Sequence, residues 1–381
     1  MTTVLGKMKG SYRNPTTVSG ESFSVMKSAL QKYIRRGNIE MACRVAYEID
    51  CYNYDSEKNA KGHVTNFIHR LMIIFVEDIG PCAIALIGPI YACFKKLMEI
   101  RAKRLALTEF SEQYCKYRRQ EVEILTIAII LMCKSNKGRS GSHYKSVYFP
   151  NPDKRLVAIH PILQQIQDRA KEPVPTGIDL PLGESKFILD LCKHFYANLD
   201  RHDPMCVYWA FRIIDSVPAG SYFRKKKSSY LIFFMMHVFI STQPEETQDF
   251  YGEILRCCID LFSEISPLKE EFLFWLVPLI SMVEKRNPEP FEYPTAEEVH
   301  DLMSTYYRKA LDGEKIKLDE YVFDMHVKDG KGGRIYFANE SSKVFPEDPL
   351  VNNLYRTIYN QYKYLQDGKT IEDYLKDHPA L

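Results

Sequence analysis

The sequence predicts an all-α protein, a multi-helix bundle assembled from helical hairpins, with a small irregular C-terminal segment. Apolar residues recur at spacings of three and four from Glu21 to about Leu311, the period of a helix that buries one face. Helix-starting and helix-stopping residues punctuate that text at regular intervals, as at Gly37-Asn38, Gly80-Pro81 and Asp203-Pro204. β-Branched runs are short, so strand content is expected to be minimal.

Residues 1–20, rich in Thr, Ser, Gly and basic groups, are expected to form a flexible arm without the apolar stretch of a secretory signal. The first helix follows, with Phe23, Met26, Ala29, Leu30, Tyr33 and Ile34 on one face and Lys27, Lys32, Arg35 and Arg36 mostly on the other. Gly37 ends it, and Asn38 caps a second helix striped by Met41, Val45, Ala46 and Ile49. A third helix runs His63–Asp78 and stops at Gly80-Pro81, and two long ones cover roughly Cys82–Leu107 and Phe110–Cys133. The segment Ser135–Tyr144 reads as a basic loop, and a short helix is expected near Pro161–Lys171. Phe187, Ile188, Leu191 and Phe195 open a second helical block, with Asp203-Pro204 starting the next helix as N-cap and N1 proline. Helices follow at Lys225–Ser241, Gln248–Glu264, Leu268–Glu284 and Ala296–Leu311, then a glycine-interrupted loop or hairpin and a closing helix near Leu350–Gln366. The expected organisation is an arm (1–20), a helical domain (21–149), a linker with a short helix (150–183), a second helical block (184–314) and the irregular segment with its closing helix (315–381). "RGNIEMACRVAYEID" and "RHDPMCVYWAFRIID" echo one another, either as two related blocks or as the two-helix hairpin used twice.

With 381 residues and 45% hydrophobic content the chain can fill two or three cores. A net charge of +2 excludes a polycation, so any nucleic-acid contact needs a local basic patch. The 10 cysteines form no C-x-x-C pair and most sit in apolar helical text, which points to a reducing, intracellular compartment. The apolar runs, such as Ile124–Cys133 and Leu231–Ile240, fall short of the roughly 20 residues of a membrane span and read as buried helices.

Three ordered segments, Ser28–Asp50, Phe67–Gly80 and Leu125–Tyr144, carry a resemblance through Ser28, Ala29, Leu30, Lys32, Ile34, Arg35 and Gly37, then Arg70, Leu71, Glu77, Asp78, Ile79 and Gly80, then Lys134, Ser135 and Asn136. They resemble the C-terminal helical domain of RarA/MgsA replication-associated AAA+ ATPases, relatives of the Werner-helicase-interacting protein, over about residues 19–148. A second stretch, Asp324, His326, Gly330, Arg334, Phe337 and Glu340, is similar to a segment in stand-alone relatives from bacteria and large DNA viruses, although Val327 replaces the usual Thr. The resemblance implies a clamp-loader-collar-like bundle, homo-oligomerisation and a place near DNA replication or repair, in cytoplasm, nucleus or, for a viral chain, the virion. The ATPase does not carry over: no G-x-x-x-x-G-K-[ST] is present, and Lys363 stands where the first Gly of such a motif ending at Thr370 would be.

Candidate contacts with nucleic acid or an acidic partner are Arg35 and Arg36, the loop cations Lys134, Lys137, Arg139 and Lys145, and the run Arg224, Lys225, Lys226 and Lys227. Positive charge at a helix start is unfavourable, so an anion would relieve the last group; a solvated or nuclear-targeting-like cluster is the other reading. Arg101, Lys103, Arg104, Lys116, Arg118 and Arg119 read as an exposed face. Glu77 and Asp78 sit at a helix end and call for relief by Arg70 or Arg35. Asp324 and His326 form an acid–base pair only if a strand aligns them, leaving Gly330, Arg334 and Glu340 as a motif of unassigned role. No metal ligand set, cofactor motif or nucleophile signature is found. The expected function is a non-enzymatic, oligomerising helical protein in or near DNA replication or repair; the alternatives are a scaffold such as a virion component, and an enzyme built on Asp324 and His326.

Overall fold

The computed structural model describes residues 15–54, 60–108, 111–149, 161–180, 184–216, 222–264, 272–323 and 369–377. In chain order the helices are α1 (Phe23–Arg35), α2 (Ile39–Asp50), α3 (Ala60–Asp78), α4 (Ile87–Leu105), α5 (Glu112–Lys134), α6 (Ser140–Tyr148), α7 (Pro161–Arg169), α8 (Lys186–Asp200), α9 (Met205–Asp215), α10 (Tyr222–Ser241), α11 (Glu245–Glu264), α12 (Phe272–Val283), α13 (Ala296–Leu302), α14 (Arg308–Leu311) and α15 (Ile371–Asp377). A π-helical turn, Met303–Tyr307, joins α13 to α14, and 3₁₀ turns occupy Cys51–Tyr54, Gly80–Leu86 and Glu320–Val322. The all-α expectation holds: among the described residues the only β feature is an isolated bridge between Thr16 and Ser22. The closing helix expected near Leu350–Gln366 lies outside the described residues.

The chain forms two compact units that interleave in sequence, residues 1–137 with 288–344 and residues 138–287 with 345–381. This division differs from the consecutive blocks read from the sequence. The segment after Pro288 joins the first unit, and α6 joins the second.

In the first unit α1 and α2 make a hairpin whose inner faces are closed to solvent, with Met26, Ala29, Leu30, Tyr33, Ile34, Val45, Ala46 and Ile49 all at 0% exposure. Each Met, Leu, Ile or Val side chain among them contributes about 1.5–3 kcal/mol by burial. The corner between them follows from two residues. Gly37 takes φ +67°, Gly37 N donates to Ile34 O at 3.0 Å and Asn38 N donates to Tyr33 O at 3.0 Å, a left-handed helix ending. The Asn38 side chain then accepts from Met41 N at 3.1 Å and starts α2. α2 packs on α1, α3, α5 and the π-helical turn, and α4 pairs with α5. Residues 15–20, expected as the end of an arm, are docked instead: Thr17 is buried, Ser19 N donates to Glu48 Oε1 at 2.6 Å and Tyr52 OH to Thr16 O at 2.8 Å.

In the second unit α8 and α9 form a hairpin, α10 packs on both, and α11 and α12 complete the core with α6 laid against α9 and α12. Trp275, Phe274, Phe195, Cys206 and Ala210 are fully enclosed. Arg169 holds α7 to the α8–α9 corner through two bonds to Asp203, Nη1 to Oδ1 at 3.0 Å and Nη2 to Oδ2 at 2.6 Å. That corner repeats the first one: His202 takes φ +55°, His202 N donates to Leu199 O at 2.9 Å and Asp203 N to Asn198 O at 2.8 Å. The same ending recurs at Lys285-Arg286 and Gly313-Glu314, so it is not confined to the two segments that echo one another in sequence.

Among the described residues no single helix is long and apolar enough to cross a membrane; the pair Gly62–Asp78 and Gly80–Leu105 reaches that length and composition only across a 107° corner.

Candidate nucleic-acid interface

α10 is anchored by Ile232, Phe233, Met235, Met236, Phe239 and Ile240, all at 3% exposure or less. Its opposite face is open. Tyr230 and Phe234 are 39% and 38% exposed, and His237 and Ser241 continue the same row at i, i+4, i+7 and i+11. Tyr230 is braced from below by the Phe262 ring of α11, 5.4 Å away and edge-on. Arg224, Lys225, Lys226 and Lys227 fall in the first two turns of the same helix, ahead of Tyr230 in the chain. Phe187, 57% exposed, stands in the first turn of α8, which packs against α10. Exposed aromatic faces near basic residues are what a single strand of nucleic acid uses: bases stack on the rings and phosphates meet the cations.

The other basic candidates are engaged within the protein. Arg35 is buried and pairs with Asp78, Nη2 to Oδ1 at 2.8 Å and Nε to Oδ1 at 3.0 Å, so it does not face a partner. Gln31 completes the cluster by donating to Asp78 Oδ2 at 2.7 Å and accepting from Arg70. The acidic end of α3 is thus relieved by Arg35, the second of the two arginines expected to do so. Arg36 lies over the Tyr321 ring at 4.1 Å. Lys134 pairs with Glu298 at 2.9 Å on the surface. Lys137 donates to Cys133 O at 2.6 Å and Ser135 O at 2.7 Å, at the carbonyl end of α5, and burial holds its ammonium below the usual lysine range.

The expected loop Ser135–Tyr144 is only half a loop, because α6 begins at Ser140. Tyr144 and Val147, both buried, supply an apolar side that the Ser- and Gly-rich composition concealed. Tyr144 OH donates to Glu284 Oε1 at 2.7 Å, Lys145 lies over the Phe272 ring at 4.2 Å, and Arg139 is nearly closed to solvent with Nη2 3.4 Å from Ser142 Oγ.

Arg104 and Arg118, read as part of an exposed face, are buried. Arg104 Nε donates to Glu121 Oε1 at 2.5 Å, Arg118 Nη1 to Glu121 Oε2 at 2.7 Å, and Arg118 Nη2 to Asp50. Lys103, Lys116 and Arg119 remain exposed. Asp324, His326, Gly330, Arg334 and Glu340 lie outside the described residues, as do the side chains of Arg224, Lys225, Lys226 and Lys227.

His63 and His194 serve packing. His63 contacts the Phe23 and Tyr52 rings at 5.3 and 5.1 Å, and His194 stacks on Trp209 at 4.0 Å. Burial raises the Cys93 and Cys257 thiols to about 11, and among the described residues no group of His, Cys, Asp or Glu is arranged to hold a metal ion.

Sequence reasoning found the basic run but missed its aromatic continuation. The run Leu231–Ile240 is apolar on every side, which reads as a fully buried helix; the available signal was Tyr230, Phe234 and His237 at helical spacing after the basic run. No known protein family, curated protein or solved structure matches the chain.

Proposed function

We propose that the chain is a non-enzymatic, oligomerising helical protein that acts in or near DNA replication or repair and contacts single-stranded nucleic acid through the outer face of α10. One observation carries the nucleic-acid reading: Tyr230 and Phe234 stand exposed one turn apart, and Tyr230 follows the four-residue basic run of the same helix after two serines. Stacking on such rings contributes about 1–3 kcal/mol per base, and it tolerates any base sequence. The lysines add a term that falls with salt, with a slope of about −0.7 per phosphate for single strands. Assembly and the replication setting rest on the resemblance of residues 19–148 to the RarA/MgsA collar domain.

The test is fluorescence anisotropy with labelled oligo-dT and duplex DNA over a salt series, together with light-scattering mass. Wild-type protein is expected to bind oligo-dT more tightly than duplex. Lys226→Glu/Lys227→Glu should weaken binding and flatten the salt slope by about 1.4. Tyr230→Ala/Phe234→Ala should weaken binding about tenfold or more at an unchanged slope. Equal binding by all three proteins, or none by the wild type at low salt, rules the surface out.

A second reading, a scaffold without DNA binding, is favoured by the internal engagement of Arg35, Lys134, Lys137 and Lys145. It predicts an oligomer whose mass is the same in Lys226→Glu/Lys227→Glu and no shift with either DNA.

A further inference from the structure

A cleft of about 460 Å³ opens within the first unit, between α5 and the segment running from the end of α13 through the π-helical turn. Tyr114, Arg119 and Val122 form one wall, and His300, Met303 and Tyr307 form the other. That volume lies in the range of small-molecule sites, which are concave, mostly apolar and supplied with a few convergent polar groups.

Three features indicate what would fit. The base of the cleft is electrically balanced: Arg118, at its floor, reaches Asp50, donates to Glu121 at 2.7 Å and donates to Tyr307 OH at 3.2 Å. Its charge is therefore already neutralised. On the rim, Arg119 is exposed and makes no ion pair among the described residues. It leaves one positive charge without an ion-pair partner on the rim, above the balanced Arg118 floor and between Tyr114 and Tyr307, and His300 lines the facing wall. Finally, the facing wall is a π-helical turn, and Met303, Ser304 and Tyr307 of its five residues line the cleft. Such turns are rare within α-helices and occur frequently at functional sites.

We propose that this cleft binds a small aromatic monoanion, a flat apolar body held between the Tyr114 and Tyr307 sides with one carboxylate or sulfonate on Arg119. A single guanidinium without an ion-pair partner matches one negative charge; a polyphosphate would bring excess charge into an apolar site. The site is independent of the α10 face.

The 381-residue chain titrated with 1-anilinonaphthalene-8-sulfonate, itself such an anion, tests this by fluorescence. One probe is expected to bind per chain. Arg119→Glu should weaken it about tenfold or more through loss of a charge-assisted bond, and Ser304→Trp should abolish it by filling the cleft. Both positions are exposed, so far-UV circular dichroism and Tm are expected to stay at wild-type values. Tyr230→Ala/Phe234→Ala should leave probe binding intact, which separates this site from the nucleic-acid surface. 2-Naphthoate should displace the probe and ATP at equal concentration should not. Probe binding that is unchanged in Arg119→Glu and Ser304→Trp overturns the site, as does its loss in Tyr230→Ala/Phe234→Ala. Stronger displacement by ATP than by 2-naphthoate overturns the monoanion.

Discussion

Gly37 and Lys285 end their helices in the same left-handed conformation, at φ +67° and +51°, but only one of them is suited to it. An L side chain there crowds its own carbonyl and costs about 1–2 kcal/mol, which glycine avoids. At Gly37 a Cβ would also meet Cys133 O at 3.1 Å, and a backbone carbonyl in a packed helix has little freedom to move away. Gly37→Ala is therefore expected to destabilise the protein by about 1–3 kcal/mol. Lys285 is exposed, and Lys285→Gly relieves strain without loss of packing, for a gain of about 0.5–1 kcal/mol after the extra backbone entropy of glycine. Urea unfolding of the two variants should move in opposite directions; a shift of the same sign in both would disprove the account. The Gly37 ending was legible because glycine beside a cap residue announces it. The Lys285 ending was not, because lysine carries no such signal and the geometry is imposed by the packing of α12 before it.

Helix positions were largely legible in the sequence, since each buries a stripe at 3.6-residue period; helix partners were not. Arg104 and Arg118 look like ordinary surface cations on α4 and α5. They are drawn inward because Glu121 stands between them and Asp50, 68 residues before Arg118, comes alongside from α2. No local pattern encodes that approach. The resulting cluster joins three helices, with Tyr114 OH accepting from Arg104 at 3.0 Å and Asn53 Oδ1 from the same guanidinium at 2.8 Å. Removing its shared carboxylate leaves two buried guanidiniums short of a partner. Glu121→Ala is expected to lower stability by about 3–5 kcal/mol. Lys134→Ala, which breaks the surface pair with Glu298, should change it by no more than about 1 kcal/mol. A denaturant midpoint for Glu121→Ala that matches Lys134→Ala would show that the cluster does not hold these helices. The α10 face belongs to the same scale. Its basic run was visible as composition, while its aromatic row was hidden inside an apolar stretch and emerged only once α8, α9, α11 and α12 had covered the other sides.

The chain leaves its first unit at Lys137 and returns to it at Pro288, and this interleaving is the largest feature that sequence reading left out. Composition marks boundaries where linkers are polar or proline-rich, whereas the return is specified by contacts more than 250 residues apart. Arg44 Nη2 donates to Glu314 O at 2.6 Å, Ser28 Oγ to Val322 O at 3.0 Å, and Asp319 N to Tyr33 OH at 3.1 Å. Residues 288–323 thus satisfy polar groups on α1 and α2 that are otherwise left facing apolar surface, and Tyr307 closes over Tyr47 with ring centroids 5.3 Å apart. Residues 1–137 alone should therefore collapse without a cooperative transition, because the outer sides of α2 and α5 lose their cover. The exit and return points are adjacent, since the Asn136 side chain donates to Glu289. A short Gly-Ser linker from Lys137 to Pro288 should therefore restore a single unfolding transition in a chain of 1–137 joined to 288–323. Circular dichroism melts of the two fragments decide it. Cooperative unfolding of 1–137 by itself would mean that the returning segment only decorates a unit already complete, and failure of the joined chain would place essential support elsewhere in the sequence.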